Sequence, residues 1–318
     1  MSKISLVVPV YNEEDNVEIF YKNFLEASKK VPRLKKSEVI YIDDGSLDQT
    51  ANLVKKIAKK DDRVKLVSLT KNLGVNTAFS AGLDYTTGDC MIFIDVDGQY
   101  PMSVLNGMLK IWDDNKKIVF VRRLNYQPSF LIKSLTYLFM VFINAFSYIK
   151  LDRDTSYVCL LDRDVIRVLK TLEETTRYYP GLIRWTGFEI GYVECKINKR
   201  AVGNSKIGIR KKISEAISAL TDFTPTLLRA STVFGFIIST ISVLYGFVIL
   251  LMVLKNGIDV PGYTSLILAI LFIGGLQLMS IGILSEYISK IYSESKRRPS
   301  YIVKETVGLE KIFKKTKL

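Results

Sequence analysis

The chain has 318 residues, enough for one large domain or two smaller ones, and its 48% apolar content excludes an intrinsically disordered protein. Its 45 basic and 32 acidic residues leave a formal charge of +13, which suits an anionic partner: nucleic acid, an acidic membrane face or a phosphorylated substrate. It contains no histidine, which excludes imidazole acid–base chemistry, Ser–His triads and His metal sites; a metal here must sit on oxygen ligands, which points to Mg²⁺ or Mn²⁺.

The chain starts directly with a strand-like run, and Glu13 and Glu14 follow soon after. This is not a signal peptide, so the N-terminal domain is expected to stay in the cytosol. Short, nearly continuous apolar runs rich in Val and Ile occupy 4–8, 39–42, 64–69, 91–94 and 118–121. Such runs fit strands covered on both faces. Helical patterns lie between them near 14–30, 48–60, 76–86 and 101–113. Asp48 is placed to cap the second, and Pro101 falls early in the fourth, where proline is tolerated. The alternation predicts an open, mostly parallel α/β sheet. Cys90, Cys159 and Cys195 show neither metal-ligand nor redox spacing and are expected to be reduced core residues.

Residues 129–150 are strongly apolar but are interrupted by Lys133 and Asn144. They are expected to lie in the membrane interface or against the domain rather than to span. Residues 207–228 look amphipathic, with Arg210, Lys211 and Lys212 in the first turns. Cations there oppose the helix dipole. They fit contact with lipid phosphates and fit a solvated basic face equally well. Residues 231–254 and 260–285 carry no charge, and each exceeds the roughly 20 residues needed to cross a bilayer core. Two transmembrane helices are predicted, at 231–254 and 262–285, followed by a basic tail. Lysines and arginines after Glu286 place the domain and the tail on the cytoplasmic side. Gln277, inside the second span, suits a hydrogen bond to a neighbouring helix. The predicted organisation is a domain over 1–228, a hairpin over 229–288 and a cytoplasmic tail over 289–318.

Three acidic clusters end strand-like runs: Glu13 and Glu14 after the first, Asp43 and Asp44 after the second, Asp95 and Asp97 after the fourth. That puts carboxylates where strands stop and a ligand crevice opens. An isolated Asp-x-Asp is a weak signal and is often only a surface turn. Here its position matters more than its composition. Two Asp at i and i+2 just past a strand can both face the crevice and hold a hard cation, and Gln99 adds a neutral oxygen.

These segments resemble the GT-A glycosyltransferases of family 2. The closest likeness is to the polyprenyl-phosphate glycosyltransferases, which include dolichol-phosphate mannose synthases and bactoprenol glucosyl transferases. The resemblance rests on Val-Pro-Val-Tyr-Asn-Glu (8–13), Asp-Asp-Gly-Ser (43–46), Asn-Leu-Gly (72–74) and Asp-Val-Asp-Gly-Gln-Tyr-Pro (95–101). It extends through Leu-Leu-Asp-Arg (160–163), Trp-Thr-Gly-Phe (185–188), Arg-Ala-Val-Gly-Asn-Ser-Lys (200–206) and the basic run at 286–299. It implies a GT-A domain with interfacial helices and a membrane hairpin. It further implies inverting transfer of a sugar from a nucleoside diphosphate-sugar, UDP favoured over GDP, to a polyprenyl phosphate such as undecaprenyl phosphate, with no nucleic acid involved. Anionic membrane lipids, a homo-tetramer and an inner-membrane location come with the same likeness.

By the same resemblance, Pro9, Tyr11 and Glu13 border the nucleotide, and Asp43 or Asp44 meets the base. Asp95 lies near ribose and metal, and Asp97 and Gln99 ligate the metal. Arg122 approaches the diphosphate, and Arg200, Ser205 and Lys206 hold the acceptor phosphate. Asp154 matches an acidic residue of the family and reads equally as a residue that orients the acceptor or serves as base and as a helix cap or ion-pair partner of Arg153 or Arg163. The chain departs from the family pattern after Asp154, where Thr155-Ser156-Tyr157 replaces the commoner Phe-Arg. Gly98 and Tyr100 also differ from the usual residues. Arg184-Trp185 faintly resembles the Arg-Trp of processive polysaccharide synthases, but the accompanying glutamine is missing, and Trp185 is expected to be a packing residue. A processive synthase and an inactive scaffold binding nucleotide-sugar or lipid are the competing readings.

Overall fold

The computed structural model describes residues 2–124, 155–172, 174, 177–198 and 262–309, with isolated positions between 235 and 255. In chain order the elements are β1 (Ile4–Val10), α1 (Glu14–Lys30), a 3₁₀ turn (Pro32–Lys36), β2 (Glu38–Asp43), α2 (Thr50–Ala58), β3 (Val64–Leu69), α3 (Val75–Tyr85), β4 (Cys90–Phe93), α4 (Ser103–Asp113) and β5 (Ile118–Arg123). Then come β6 (Thr155–Asp162), α5 (Arg163–Thr171), α6 (Tyr179–Trp185), β7 (Ile190–Cys195), α7 (Tyr263–Ser295) and β8 (Val303–Val307).

The eight strands form one sheet in the order β7-β5-β6-β4-β1-β2-β3-β8. Its centre, β4-β1-β2-β3, is parallel. β6 enters antiparallel between β4 and β5, β7 is parallel to β5, and β8 closes the far edge antiparallel to β3. The central strands are apolar on both faces because both are covered. Val17, Phe20 and Phe24 of α1 and Leu105 and Met108 of α4 fill one side. Phe79 of α3, Val165 of α5 and Tyr179 of α6 fill the other, with Phe79 stacked on Tyr179 at 4.2 Å between ring centroids. All three cysteines are free and buried, and burial raises their thiol pKa values.

The five strands and four helices expected in the first 125 residues are present, with ends shifted by a residue or two. Asp48 Oδ1 takes the Thr50 amide at 3.0 Å, while the N-cap position itself is Gln49, whose side chain makes no capping bond. Three strands were not foreseen. β6 and β7 form between residues 155 and 195, where no element is predicted from the sequence, and β8 forms within the predicted basic tail. Its charged residues sit on an edge strand, where Lys304 is exposed and Glu305 pairs with Lys55. Charge on an edge strand is compatible with pairing on one side only.

The 33-residue helix α7 takes up the second charge-free stretch. Among the described residues it is the one helix long and apolar enough to cross a membrane, over Phe272–Ser295, and none of that stretch is buried. The described positions of 235–255 are helical, but half of the first predicted span, and all of 129–150 and 207–228, lie outside the described residues. A linker of seven residues, 296–302, joins α7 to β8. The phenol of Tyr301 in that linker donates to Asp84 of α3 at 2.6 Å, and the Thr70 amide donates to the Ile302 carbonyl at 3.1 Å.

Candidate active site

The chain crosses from β1 to β2 to β3 in one direction and places β4 on the opposite side of β1. Strand order therefore reverses between β1 and β4, and a crevice opens beyond their C-terminal ends. The acidic segments leave the sheet there. Residues 11–13 follow β1, 44–46 follow β2 and 95–99 follow β4, while Arg122 is near the end of β5. β6 runs the other way, so its first residue, Thr155, arrives at the same edge, with its Cα opposite that of Arg122.

The β1 and β2 loops are laced together. Asn12 sits at φ 51°, its amide donates to Ser46 Oγ at 2.9 Å, and its Oδ1 accepts from the Leu47 amide at 2.8 Å. The Glu13 amide donates to Thr50 Oγ1 at 2.8 Å, and Glu13 Oε2 accepts from Asn16 at 2.6 Å. Gly45 lies at φ 74°, and a Cβ there would approach the Lys71 backbone to 2.6 Å. The Asp-Asp-Gly-Ser turn therefore requires glycine on two counts.

The two aspartates of that turn divide the work. Asp43, 3% exposed, takes the Ser46 amide on Oδ1 at 2.9 Å. Asp44, 5% exposed, takes the amides of Leu73 and Gly74 at 2.8 and 2.7 Å, one on each oxygen. Asp44 thus clamps the β2 loop to the β3–α3 loop.

In the β4 loop the side chain of Asp97 is buried at 6% exposure, and its Oδ1 accepts from the Gln99 amide at 3.1 Å. Gly98 between them has φ 73°. Asp95 and Gln99 are half-buried. The Gln99 carbonyl accepts from the Asn198 amide at 2.8 Å, which joins the loop after β7 to the acidic loop. Among the described residues no three His, Cys, Asp or Glu side chains gather as a metal cage. Two carboxylates and one amide still fit a hard cation of the Mg²⁺ or Mn²⁺ type. Such an ion commonly takes one or two protein carboxylates and completes its shell with water and substrate phosphate.

Arg122 is half-buried, and its guanidinium lies 4.5 Å from the centroid of the Tyr192 ring. Tyr192 comes from the neighbouring parallel strand β7, and the stack holds the cation at the crevice edge. Trp185, expected to pack, is instead 57% exposed at the last turn of α6. The side of α6 that meets the core carries Tyr179, Leu182 and Ile183, and Trp185 falls off that face. Asp154, Arg200, Ser205 and Lys206 lie outside the described residues.

Tyr192, Asn198 and Asn16 escaped the sequence reading. Tyr192 was hidden because β7 was not recognised. Asn198 carried a usable signal, since it stands just before Arg200 of the basic motif.

Residues 5–170 match the family model described as Glycosyl transferase family 2. The chain is 35% identical to an uncharacterized glycosyltransferase of Synechocystis over 97% of this chain and 96% of that protein. It is 37% identical to the bactoprenol glucosyl transferase of Shigella phage SfX, over 95% of this chain and 99% of that protein. A putative glycosyltransferase of Bacillus subtilis is 33% identical over 95% of this chain and 91% of its own length. Among solved structures, a mannosyltransferase from Pyrobaculum calidifontis in complex with GDP-Man and Mn²⁺ has a TM-score of 0.45 at 20% identity, covering 63% of this chain and 58% of that one. With an edge built from these motifs and matches of this extent, the chain belongs to glycosyl transferase family 2 and is a glycosyltransferase.

Proposed function

We propose that this glycosyltransferase moves a sugar from a nucleoside diphosphate-sugar to a polyprenyl phosphate at the cytoplasmic face of the membrane, with inversion at the anomeric carbon. The observation that carries the reading is the bond between Asn198 and Gln99. It brings the chain to the acidic loop two residues before Arg200, the first residue of the basic element. The names of the phage relatives, bactoprenol glucosyl transferases, support a polyprenyl acceptor.

On this reading Pro9, Tyr11, Glu13, Asp43 and Asp95 line the nucleotide site. Asp44 acts by holding the 73–74 backbone in place. Asp95, Asp97 and Gln99 hold the divalent cation, which when bound neutralises charge on the donor diphosphate. Arg200, Ser205 and Lys206 hold the acceptor phosphate, an arrangement suited to a group carrying nearly two negative charges.

A phosphate oxygen of the acceptor attacks the anomeric carbon in line as the bond to the nucleoside diphosphate breaks. The acceptor is already ionised near neutral pH, so no proton has to be removed from it. Asp154 is then assigned to orienting the acceptor. Arg122, fixed by Tyr192, stabilises the departing diphosphate. α7 anchors the domain, and with the first charge-free stretch it completes a hairpin with both ends cytoplasmic.

The test is to incubate membranes containing the protein with undecaprenyl phosphate and a panel of labelled UDP- and GDP-sugars, and then to extract lipid. A chloroform-soluble, mild-acid-labile monosaccharide product is expected with one donor. A polymeric product, or none with any donor, would remove the reading.

A further inference from the structure

The acidic loop has two sides. Asp95, Asp97 and Gln99 alternate with Val96, Gly98 and Tyr100, and the second set lines a cavity of about 410 Å³. Its opposite wall is α1, through Asn16, Phe20 and Asn23, and Asn106 and Asn198 close it. None of the residues assigned above to nucleotide, cation or acceptor phosphate lines it. Its volume falls in the roughly 300–1,000 Å³ range of small-molecule sites.

Asn16 marks the cavity as unfinished. The residue is 3% exposed, and its Nδ2 donates to Glu13. Its Oδ1 is buried with no hydrogen-bond partner among the described residues. A buried acceptor left so is destabilising. The oxygen has almost no exposed surface, so a ligand hydroxyl reaches it once the carboxamide turns toward the cavity that Asn16 lines.

The rest of the lining narrows the ligand. Four carboxamides, from Asn16, Asn23, Asn106 and Asn198, each offer a donor and an acceptor, as hydroxyl groups require. Phe20, Tyr100 and Met102 give an apolar wall for the C–H face of a sugar ring. The charged side chains in the lining are one acid and one base, Glu26 and Lys30, so there is no cationic cradle for a phosphate.

We infer that this cavity is a second binding site, for a neutral mono- or disaccharide, lying behind the acidic loop. Two contacts couple it to the crevice. The Val96–Tyr100 side of the loop forms its wall, and Asn16 joins it to Glu13. Occupancy should therefore change donor affinity.

Full-length protein in detergent, presented with methyl glycosides and glucose disaccharides, tests this by saturation-transfer NMR. Transfer to at least one glycoside is expected, persisting at saturating UDP. It should fall at least tenfold in an Asn23→Leu/Asn106→Leu variant, both positions being exposed on helices and outside the crevice. UDP affinity measured separately should shift on adding the glycoside in wild type and not in the variant. Displacement of the glycoside by UDP, an undiminished signal in the variant, or no transfer from any glycoside to protein that binds UDP would overturn the inference. UDP binding and lipid transfer could each survive that result, so it is distinguishable from failure of the proposed reaction.

Discussion

The backbone amide of Asn198 donates to the carbonyl of Gln99 at 2.8 Å, and so the loop after β7 is fastened to the loop after β4 across two intervening strands. In the proposed reaction these loops handle different substrates. On that reading the bond sets the spacing between donor and acceptor. Asn198→Pro removes the donor N–H, a loss of about 1 kcal/mol for one neutral hydrogen bond. The expected outcome is a several-fold rise in KM for the lipid phosphate with donor KM unchanged, measured by steady-state kinetics in detergent.

Asp97→Ala is expected to lower transfer by at least about a thousandfold, on the order of an electrostatic contribution made mainly in the transition state. Asp97 accepts the Gln99 amide two residues on, a bond local to its own loop, and thermal unfolding is expected to move by a few degrees. Lipid-product formation and a melting curve on the same preparation check both halves. A folded and active variant removes Asp97 from the cation site.

Asp44→Ala should behave differently. Its two oxygens hold the amides of Leu73 and Gly74, and truncation leaves both without their acceptor. Loss of about 2–4 kcal/mol is expected from two charge-assisted bonds. Amide exchange should rise in 71–75 more than elsewhere, and stability should fall along with donor affinity.

Glu38 governs acid stability. It is 3% exposed at the opposite end of β2, bonded to Ser5, Thr87 and Lys65. Burial alone would raise its pKa, but these bonds outweigh burial and lower it to about 2. The folded pKa is below the unfolded one, so the stabilisation is complete above about pH 4.5 and is lost as pH falls toward 2. Its size is about 3 kcal/mol. Glu38→Gln should flatten the fall in melting temperature between those limits and lower stability at neutral pH.

Tyr301 ties the linker after α7 to the domain through its bond to Asp84 of α3. Tyr301→Phe is expected to lower domain stability by about 1–2 kcal/mol, as for a hydrogen bond to a charged partner. A denaturant melt in micelles, followed by fluorescence, measures it.

Much of this architecture was legible because buried parallel strands have an unmistakable composition. Residues 39–42 and 91–94 are continuous apolar runs, and the carboxylates that follow them fell where the crevice is. β7 was hidden because Gly191 and Glu194 interrupt its apolar pattern, and the strand it pairs with, β5, lies far earlier in the chain. β8 was hidden because Lys304 and Glu305 resemble a solvated tail; only pairing with β3 makes them a strand. In the site, the residue types were readable and the division of labour was not. Asp43 and Asp44 are adjacent and chemically identical, and only the position of the 73–74 amides separates them. Asn16 and Asn198 act through a cavity and a backbone bond, neither of which has a signature in residue order.

The antiparallel strand β8 also decides how the protein can be cut. A fragment ending at the first charge-free stretch would lose Val303–Val307 and bare the outer ladder of β3, including Leu66 and Leu69. An unpaired edge of that kind recruits another chain. The sheet of this glycosyltransferase is therefore completed from beyond its long apolar helix, and a truncation that removes that helix and all that follows it would give the protein a new way to self-associate.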